Sequence, residues 1–527
     1  MKILVSDSLS KQGVELLEQA GFTVVVKSKM PKDELFREIK DADGLIVRSG
    51  TKVTEELIAA AEKLKVVGRA GSGLDNVDTP AATRRGIVVM NTPGGNTVTT
   101  AEHTMSMICA MSRRIAQATA SVKAGKWEKD KFMGVELCNK VLGIVGVGQI
   151  GSHLTKLAQG IGMRVIAYDP YLAADRAEKM GVQMVTLADL FRRADIISVH
   201  TPLTPETKNL INAQSIATMK PGVMIVNCAR GGIIHEGDLY EALKSKRVVA
   251  AAFDVFEEEP VKADHPLLSL DNFICTPHIG AQTTEAQENV AVGIAEQIVD
   301  YFTKGIARGA VNIPSVSPEL LPRLQPYLTL AEQLGKLETQ LCEGGLERVT
   351  VEYSGDVANL SIAPLTIAVL KGLLTPIMEA PVNYVNAPIV AKERGIEVKE
   401  VKSTDAGDFT SLIRVRVEAG KQSHLVAGTL YNKKDPRVVE IDQFKVEMVP
   451  EGHMLFIHNI DRPGVIGMVG KVLGDNNINI VRMQCALEKR GGNALLIIGS
   501  DQTFPGAVLN TIKSSKDILS VKVAALS

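Results

Sequence analysis

A glycine-rich turn between two apolar segments constrains this chain more than any other feature. The apolar run Val141–Val145 is typical of a buried strand, and glycines follow it at the spacing G-x-G-x-x-G. Gly146 permits a tight turn, Gly148 lets the backbone approach a pyrophosphate, and Gly151 allows a helix to pack on the strand. The sequence therefore predicts a strand, an anion-binding turn and a helix whose N-terminus faces the anion.

An acidic residue ends the next apolar segment. Arg164–Tyr168 reads as a second strand and is followed by Asp169, 18 residues after Gly151. A carboxylate at this point can accept hydrogen bonds from a ribose diol and would repel a 2′-phosphate. The pattern predicts an NAD site, with preference over NADP; a glycine-rich turn that only packs against its neighbours is the alternative.

Composition argues against several classes of protein. The 527 residues carry a formal charge of −1, which gives no sign of a nucleic-acid or anionic-membrane partner. Because the chain has neither a signal-peptide pattern nor an uncharged apolar run long enough to span a bilayer, we expect a cytoplasmic protein. The six cysteines form no C-x-x-C pair, so reduced, mostly buried thiols are expected rather than disulfides or a metal site.

Short apolar runs and helical patterns alternate along the first 310 residues. They form one α/β unit before the glycine turn and continue after Asp169 as expected for a doubly wound parallel sheet. A single long helix, capped by Asn96 or Thr97 and ending near Gly125, should link the two units. It carries His103, and a lone histidine on a helix is usually structural.

Three predicted strands of the second unit end in chemically distinctive residues. Arg230 follows the first, an acidic run ending in Glu259 follows the second, and His278 lies at the tip of the third. Since ligands bind at the carboxyl ends of such strands, these side chains should meet at one edge. Arginine can grip a carboxylate, histidine can accept a hydroxyl proton, and a carboxylate can keep the imidazole basic. Together they predict oxidation of an alcohol next to a carboxylate; singly, each also fits a salt bridge, a solvated turn or a strand-end histidine.

Two arginines of the first unit occupy similar positions. Arg48 and Arg69 lie at or just beyond strand ends, and Arg69 precedes the turn Gly71-Ser72-Gly73. Such a turn offers backbone N–H groups to anions. Each arginine alone is equally consistent with a surface salt bridge.

These motifs resemble the D-isomer-specific 2-hydroxyacid dehydrogenases, and within that family the long members that oxidise D-3-phosphoglycerate. The resemblance covers residues 1 to about 310, including segments 68–78 and 91–93 as well as the motifs above. It implies NAD-dependent conversion of D-3-phosphoglycerate to 3-phosphohydroxypyruvate, the entry to serine synthesis. It also implies a Rossmann-type nucleotide domain, 97–283, inserted in a flavodoxin-like substrate domain, 1–96 with 284–312.

The resemblance also implies roles for individual residues. Its catalytic residues are Arg230, Glu259 and His278. Its substrate contacts are Arg48, Arg69, Arg230 and the amides of Gly71, Ser72 and Gly73. Lys129 and Lys131 are weaker candidates for the substrate phosphate, because such a charge run is usually a solvated face. The cofactor contacts are Ser72, Gly146, Gly148, Gln149, Ile150, Gly151, Asp169, Thr201, Cys228, Ala229, Arg230, Asp254 and His278.

The second half of the chain begins at four evenly spaced prolines, Pro314, Pro318, Pro322 and Pro326. They predict a stretch without regular structure and a domain boundary. Residues 313–450 match the intervening domain of the long family members, an α+β unit to which the residue pattern assigns no chemistry.

Residues 451–527 show the order βαββαβ, with a hairpin at residues 490–493, which is typical of a ferredoxin-like fold. They resemble an ACT regulatory domain, which implies L-serine as effector at Asn459, Asp461 and Asn479, and a homo-oligomer, either dimer or tetramer. The alternative is that Asp461 and Asn479 only shape turns.

Two other functions remain open at this point. One is a reductase of another D-2-hydroxy acid such as glyoxylate or hydroxypyruvate, although such chains usually lack a comparable second half. The other is a non-catalytic scaffold that senses NADH, which would need a peptide groove that the sequence does not indicate.

Overall fold

The computed structural model describes residues 1–314, 320–420, 422–489 and 492–526. Four sheets follow one another along this part of the chain, and each has its own layer of helices. The first two sheets are parallel throughout, whereas the last two are mixed and antiparallel. No helix among the described residues is long and apolar enough to cross a membrane.

The first sheet is formed by the N-terminal strands. Its elements are β1 Lys2–Val5, α1 Lys11–Gln19, β2 Thr23–Val26, α2 Lys32–Glu38, β3 Gly44–Val47, α3 Glu55–Ala60, β4 Val66–Arg69, α4 Thr79–Arg84 and β5 Val88–Asn91. The strand order β2-β1-β3-β4-β5 is the flavodoxin-like order, as expected. In β3 and β5 every residue is buried, because helices cover both faces of a parallel sheet.

The second sheet has seven strands. Its elements are α5 Thr97–Ser112, α6 Ile115–Lys123, β6 Val141–Val145, α7 Gln149–Gly160, β7 Arg164–Tyr168, α8 Ala174–Lys179, β8 Gln183–Met184, α9 Leu187–Arg193, β9 Ile196–Val199, α10 Ala213–Thr218, β10 Val223–Asn227, α11 Glu236–Lys244, β11 Val248–Phe253 and β12 Phe273–Cys275. The order β12-β11-β10-β9-β6-β7-β8 is the Rossmann order with a seventh strand at one edge. The glycine turn follows β6, the central strand at which the strand order reverses.

The single long helix expected near residues 96–125 is in fact two helices. Helix α5 ends at Ser112, whose hydroxyl donates to the carbonyl of Cys109, and Arg114 then takes a left-handed conformation with φ 52°. A serine that bonds back to its own helix weakens the continuing backbone ladder. The prediction of one continuous helix was therefore wrong, although α5 does run from the first sheet into the second.

Helix α12, Thr284–Lys304, returns the chain to the first sheet. Its buried residues Ile294 and Ile298 share a core with Ile3 and Leu17. Beyond it, the amide of Asn312 accepts a hydrogen bond from Val89 N at 2.9 Å. The core of the first sheet therefore contains residues that precede the Rossmann sheet in the sequence and residues that follow it.

The third sheet is antiparallel except where β13 and β14 pair in parallel. Its elements are α13 Leu321–Leu341, β13 Arg348–Gly355, α14 Ala363–Leu374, α15 Ala387–Glu393, β14 Glu397–Ser403, β15 Ser411–Ala419, β16 Gln422–Tyr431, β17 Asp435–Ile441 and β18 Phe444–Met448. Helices α13 and α14 pack on one another and bury a large apolar core against the sheet.

The proline-rich stretch is partly helical, contrary to the prediction. Pro322 lies in the first turn of α13, where no backbone N–H is needed, whereas Pro326 lies inside the helix and removes one backbone hydrogen bond. The cost of these prolines is offset by burial of Leu324 and Tyr327 on the same turns. Pro318 lies outside the described residues.

The fourth sheet has the predicted βαββαβ order. Its elements are β19 Gly452–Ile460, α16 Val465–Asp475, β20 Arg482–Leu487, β21 Asn493–Ser500, α17 Gly506–Lys513 and β22 Ile518–Leu526. The strand order β20-β21-β19-β22, antiparallel throughout, is ferredoxin-like. The hairpin expected at residues 490–493 falls partly outside the described residues, since Arg490 and Gly491 are not among them.

The six cysteines are all free thiols, as expected. The expectation that most are buried was wrong. Cys228 is buried, Cys109 and Cys342 are half-buried, and the other three are exposed. Apolar periodicity does not separate a core cysteine from one at a strand end such as Cys275.

Candidate active site

Residues at the carboxyl ends of the first two sheets face each other across a cleft. Arg230, which follows β10, places Nε 3.0 Å from Oδ2 of Asp75 in the first unit. Thr97 at the start of α5 donates to Oε1 of Gln149 in the glycine turn at 2.9 Å. The strand ends that the sequence marked as chemically distinctive thus meet the turns of the first sheet.

His278 and Glu259 form a hydrogen-bonded pair in this cleft. Nδ1 of His278 lies 2.7 Å from Oε2 of Glu259, and both side chains remain partly exposed. The other oxygen, Oε1, accepts from Phe256 N at 2.9 Å, which fixes the carboxylate. Because an ionised carboxylate can only accept, Nδ1 carries the proton, and Nε2 keeps a lone pair that can take a proton from a substrate.

The pairing shifts the pKa of both groups. The hydrogen bond that His278 donates to Glu259 raises the pKa of His278 above its ordinary 6.5, against the opposing effect of burial and the charge of Arg230. Burial alone would raise the pKa of Glu259, but its hydrogen bonds to His278 and Phe256 N outweigh burial and lower it. Glu259 therefore stays ionised near neutral pH and keeps the imidazole basic.

Arg230 is held at the cleft by its own backbone. The amide of Asn227 donates to the Arg230 carbonyl at 2.8 Å and accepts from Ala229 N at 3.0 Å, so the turn after β10 is closed on itself. The guanidinium donates to the Ala229 carbonyl at 2.7 Å. Its Nη2 reaches so close to Gly73 that a Cβ there would lie 2.2 Å away.

Three guanidinium groups converge beside this turn. Burial, with the nearby positive charges of Arg230 and Arg48, lowers the pKa of Arg69 to about 10. Burial also lowers the pKa of Arg48. The Nε atoms of Arg48 and Arg69 are buried without a hydrogen-bond partner among the described residues. Like charges this close are stabilised by an anion, so the cluster has the charge and the open donors for an anionic substrate.

The turn Gly71-Ser72-Gly73 lies against the same guanidinium groups. Gly71 has φ 137° and leaves room for Nη1 of Arg69, which a Cβ would approach to 1.6 Å. The turn is anchored by Gly71 N to Thr92 Oγ1 at 2.7 Å and by Ser72 Oγ to Asn96 at 2.7 Å. Gly71 and Gly73 therefore make room for the side chains of Arg69 and Arg230 as well as for any ligand.

The glycine turn after β6 has the geometry that its spacing predicts. Gly146 has φ 93°, and a Cβ at Gly151 would lie 2.2 Å from the Gly146 carbonyl oxygen, so α7 packs directly on the turn. Nothing lies within 4 Å of the Cβ position at Gly148, which is exposed at the N-terminus of α7. An anionic group can approach the backbone there.

Asp169 ties the turn to the end of β7. Its Oδ2 accepts from Val147 N and its Oδ1 from Tyr171 N, both at 2.8 Å. Each oxygen keeps a further lone pair for a ribose hydroxyl. Gln149 and Ile150 begin helix α7 on the side of the turn that faces α5.

The remaining predicted cofactor residues lie along the carboxyl edge of the second sheet. Thr201 follows β9, and its Oγ1 is buried without a partner among the described residues. Burial raises the pKa of the Cys228 thiol to about 12, so it is not a nucleophile. Asp254, which follows β11, is only 1% exposed and its oxygens bond Ile279 N, Gly280 N and Thr276 Oγ1.

The edge fits an NAD molecule laid from the glycine turn toward His278. The open backbone at Gly148 suits the pyrophosphate, Asp169 suits the adenosine ribose, and the unpartnered Thr201 hydroxyl lies between them and the His278 pair. When bound, NAD supplies the hydride acceptor beside Arg230 and His278.

Other predicted residues lie elsewhere. Lys129 and Lys131 belong to an exposed 3-10 helix, Lys129–Phe132, and Lys131 bonds Glu128 at 2.6 Å. In the fourth sheet Asn459 is the second-last residue of β19 and is 4% exposed, with Oδ1 lacking a partner among the described residues. Asp461 follows on the turn before α16, and Asn479 is exposed on the loop after it.

Sequence reasoning missed several residues that hold the site. Asp7 after β1 accepts from Arg48 N and Thr51 N, and Asp75 pairs with Arg230. Both could have been found, Asp7 as a carboxylate just past a strand end and Asp75 inside segment 68–78. The contact of His103 with Asp254, at 3.2 Å, gives no sequence signal, since the two are 151 positions apart.

Family models match both halves of the chain. Residues 105–280 match the D-isomer specific 2-hydroxyacid dehydrogenase, NAD binding domain, and residues 323–442 match the D-3-phosphoglycerate dehydrogenase intervening domain. The second match covers most of the elements between α13 and β17.

Relatives extend over the full length. A D-3-phosphoglycerate dehydrogenase of Methanocaldococcus jannaschii is 46% identical over 527 residues and covers 100% of both chains. One from Bacillus subtilis is 42% identical and covers 100% of this chain and 99% of its own. An NAD+-bound 3-phosphoglycerate dehydrogenase structure from Entamoeba histolytica has TM-score 0.51 and 35% identity, and covers 60% of this chain and 99% of its own. The chain thus belongs to the D-3-phosphoglycerate dehydrogenase family of D-isomer-specific 2-hydroxyacid dehydrogenases.

Proposed function

We propose that this enzyme oxidises D-3-phosphoglycerate to 3-phosphohydroxypyruvate with NAD, the first step of L-serine biosynthesis. The observation that carries the proposal is the convergence of Arg48, Arg69 and Arg230 beside the His278–Glu259 pair. A substrate with a carboxylate, a neighbouring hydroxyl and a phosphate offers one anionic or protic group to each part of this arrangement.

In this proposal His278 acts as the general base. Its Nε2 accepts the proton of the substrate hydroxyl, and the bond from Nδ1 to Glu259 stabilises the imidazolium that results. Arg230 binds the substrate carboxylate, because its guanidinium lies beside the Gly73 turn with donors to spare. The Gly71, Ser72 and Gly73 amides complete the carboxylate contacts.

Arg48 and Arg69 bind the substrate phosphate. Three cations with two nearby carboxylates, Asp7 and Asp75, leave one positive charge in excess. A phosphate neutralises this charge and provides acceptors for the unpartnered Nε atoms. Lys129 and Lys131 remain weaker candidates, since both are exposed and Lys131 already pairs with Glu128.

The test is NADH production from D-3-phosphoglycerate, with D-glycerate as the matched substrate that lacks only the phosphate. Charge-assisted hydrogen bonds contribute about 1.5–3 kcal/mol each, so D-glycerate should lose at least roughly tenfold in kcat/KM. Equal turnover of the two acids would contradict the phosphate assignment. Preference for glyoxylate or hydroxypyruvate would favour the other reductases, and peptide binding without any turnover would favour the scaffold.

The NAD contacts follow from the same assignment. We place the pyrophosphate on Gly146, Gly148 and Gly151, and the adenosine ribose on Asp169. The other cofactor contacts in this proposal are Ser72, Gln149, Ile150, Thr201, Cys228, Ala229, Arg230, Asp254 and His278.

The four sheets support a division into four domains. We assign residues 1–96 with 284–312 to a substrate domain and 97–283 to the NAD domain. Residues 313–450 form the intervening domain and 451–527 an ACT domain. The return of α12 to the first core supports the discontinuous substrate domain.

L-serine is the proposed effector of the ACT domain. Asn459 presents a buried carbonyl oxygen without a partner among the described residues, at the strand end that precedes the Asp461 turn. An ammonium group can donate to this oxygen and pair with the negative charge of Asp461, while Asn479 faces the effector carboxylate. Addition of L-serine to the NADH assay should suppress turnover in the wild type, and Asn459→Ala should abolish the suppression.

We also propose a homo-oligomer, dimer or tetramer. Strand β22 is an edge of the fourth sheet and exposes Leu519 and Val523. Unpaired edges with exposed apolar residues are covered in most native proteins. Light scattering coupled to gel filtration should give a mass at least twice the 56.6 kDa of one chain.

A cytoplasmic location fits the thiols. Six free cysteines, three of them exposed, persist best in a reducing compartment. Fractionation of cells that make the protein should recover NADH production in the cytoplasmic fraction.

A further inference from the structure

The loop that carries His278 has a backbone that must be held in place. His278 has φ 54°, a left-handed conformation that costs a side-chain-bearing residue free energy. Within the loop, His278 N donates to the Thr276 carbonyl at 3.0 Å. This one bond does not connect the loop to the rest of the molecule.

Besides the His278–Glu259 bond, Asp254 connects the residues on either side of His278 to the end of β11. It is 1% exposed and accepts from Ile279 N and Gly280 N at 2.8 Å each, directly after His278. It also accepts from the Thr276 hydroxyl at 2.5 Å, directly before the Pro277–His278 step. The Asp254 carboxylate thus accepts hydrogen bonds from residues before and after His278, whose backbone is strained.

His103 reaches the same two groups from helix α5. Its Nε2 lies 3.1 Å from Thr276 Oγ1 and 3.2 Å from Asp254 Oδ1, and its side chain is 16% exposed. The Thr276 hydroxyl has one proton and gives it to Asp254. Both partners therefore offer only lone pairs to His103, so Nε2 must carry a proton and act as the donor.

Helix α5 has a fixed relation to the cofactor side of the cleft. Its first residue, Thr97, bonds Gln149 in the glycine turn, and Thr99 lies 3.2 Å from Thr283 just past the His278 loop. A Cβ at Gly280 would lie 3.6 Å from Thr100 and 3.7 Å from His103. The loop therefore rests on one face of α5.

We propose that His103 is a positioning residue for the reaction, donating from Nε2 to Thr276 and Asp254 so that the His278 loop is locked onto helix α5. The proposal rests on the proposed function, because it takes His278 as the base. Misplacement of a reacting group by about 1 Å can cost roughly 10²-fold in rate, so loss of this lock should act on turnover.

The lock also affects how readily His278 takes a proton. Glu259 and Asp254 raise the pKa of His278, and Arg230 opposes them. If the loop loosens, His278 moves away from Glu259 and its titration midpoint falls. If His103 had only a structural role, its substitution would lower thermal stability without changing the titration midpoint of His278.

The test compares His103→Gln, whose amide nitrogen can replace Nε2–H, with His103→Leu, which fills the space without a donor. His103→Leu should lose at least roughly tenfold in kcat with KM for NAD within about twofold. The acid limb of its rate profile should move to lower pH. His103→Gln should restore both the kcat and the acid limb. Thr276→Val removes the other partner and should show the same losses, so it takes the place of His103→Leu if the leucine variant does not fold.

A second readout keeps the two proposals apart. Histidine-labelled NMR of the ligand-free protein, with the His278 resonance assigned by His278→Asn, measures the His278 midpoint without any substrate. Absence of D-3-phosphoglycerate turnover in the wild type would sink the proposed function, while this titration would still decide the role of His103. An unchanged midpoint and kcat in His103→Leu, or equal damage by the glutamine variant, would overturn it.

Discussion

In the proposed reaction, the charge on His278 decides in which pH range the active site can take a proton from the substrate. A protonated imidazole cannot act as a base, so oxidation falls as the pH drops through the pKa of His278. Because that pKa is raised above 6.5 by Glu259, the acid limb should lie above the ordinary histidine value. The bond to Glu259 therefore makes His278 a stronger base but lowers activity at acidic pH.

Substitution of the carboxylate should reverse this shift. In Glu259→Gln the neutral amide no longer stabilises the imidazolium, so the acid limb of kcat/KM should move to lower pH and kcat should fall by roughly 10²-fold. Glu258→Gln is the matched control, since Glu258 pairs with Lys262 in the same acidic run. Identical pH profiles for wild type and Glu259→Gln would show that the pair does not set the limb.

Steric access to Arg230 gives a second residue-scale prediction. In Gly73→Ala the new Cβ would meet Nη2 of Arg230 at 2.2 Å, and the guanidinium, being the end of a flexible side chain, would swing away. KM for D-3-phosphoglycerate should therefore rise at least roughly tenfold, by loss of a charge-assisted bond, while the melting temperature stays near wild type. A substrate KM that does not change would mean that Arg230 does not bind substrate from this position.

At the scale of single elements, helix α7 offers three glycines that do different things. A Cβ at Gly151 meets the Gly146 carbonyl oxygen, whereas the Cβ positions at Gly148 and Gly160 are open. Gly151→Ala should therefore lower both thermal stability and NAD affinity. Gly148→Ala should lower NAD affinity alone, because the methyl group blocks only an incoming pyrophosphate. Gly160→Ala, at the far end of the helix, should leave NAD affinity unchanged and stabilise by up to about 1 kcal/mol.

Thermal melts and NADH titrations of the three variants distinguish these effects. If Gly148→Ala binds NADH as tightly as Gly160→Ala does, the pyrophosphate does not approach α7 at that glycine.

How much of each element could be predicted depended on where its apolar residues face. Strand β9 is buried on both faces, and its sequence is a short apolar run that contains one serine. Strand β14 was missed because four of its seven residues are charged and most are exposed at the sheet edge. The prolines of α13 led to a wrong prediction for another reason. The cost of a proline to a helix depends on how far it lies from the start of that helix, and the packing of Leu324 in the core determines where α13 starts.

The same limit applies to the site. The positions of Arg230, Glu259 and His278 after strands could be predicted, because parallel strands deliver their ends to one edge. The inward turn of Asp254 and its contact with His103 could not, since side-chain direction at a strand end is set by the packing of distant segments.

At the scale of the whole molecule, the unit that matches the intervening domain model contacts the unit of the first sheet directly. Asn383 donates from Nδ2 to the Gly86 carbonyl at 2.8 Å, and Val385 is buried in the first core with Ile3. Gly86 precedes β5, whose last residue, Asn91, donates to the Ser72 carbonyl in the substrate turn at 2.7 Å. The second half of the chain therefore contacts the segment that leads into β5, a strand hydrogen-bonded to the proposed substrate turn.

This attachment predicts how an effector on the fourth sheet could influence turnover. Asn383→Asp keeps the Oδ1 acceptor that bonds Val385 N and Asn386 N, so the local turn should survive, but it loses the donor to Gly86. Coupling between sites is typically worth about a fivefold to 150-fold change in affinity, and loss of the attachment should remove part of it. The L-serine concentration for half-inhibition should rise at least roughly fivefold, with kcat in its absence within about twofold of wild type.

Asn139→Asp makes the same chemical change on an exposed turn of the NAD domain and should leave serine inhibition unchanged. Serine titrations of NADH production, run on all three proteins at equal concentration, measure the difference. Because Asn383→Asp alters only the donor that faces Gly86, unchanged inhibition in a folded variant would mean that the effector signal reaches the site by another contact, such as one between subunits. A raised half-inhibition concentration in Asn383→Asp alone would place the signal on the path from Asn383 through β5 to Ser72.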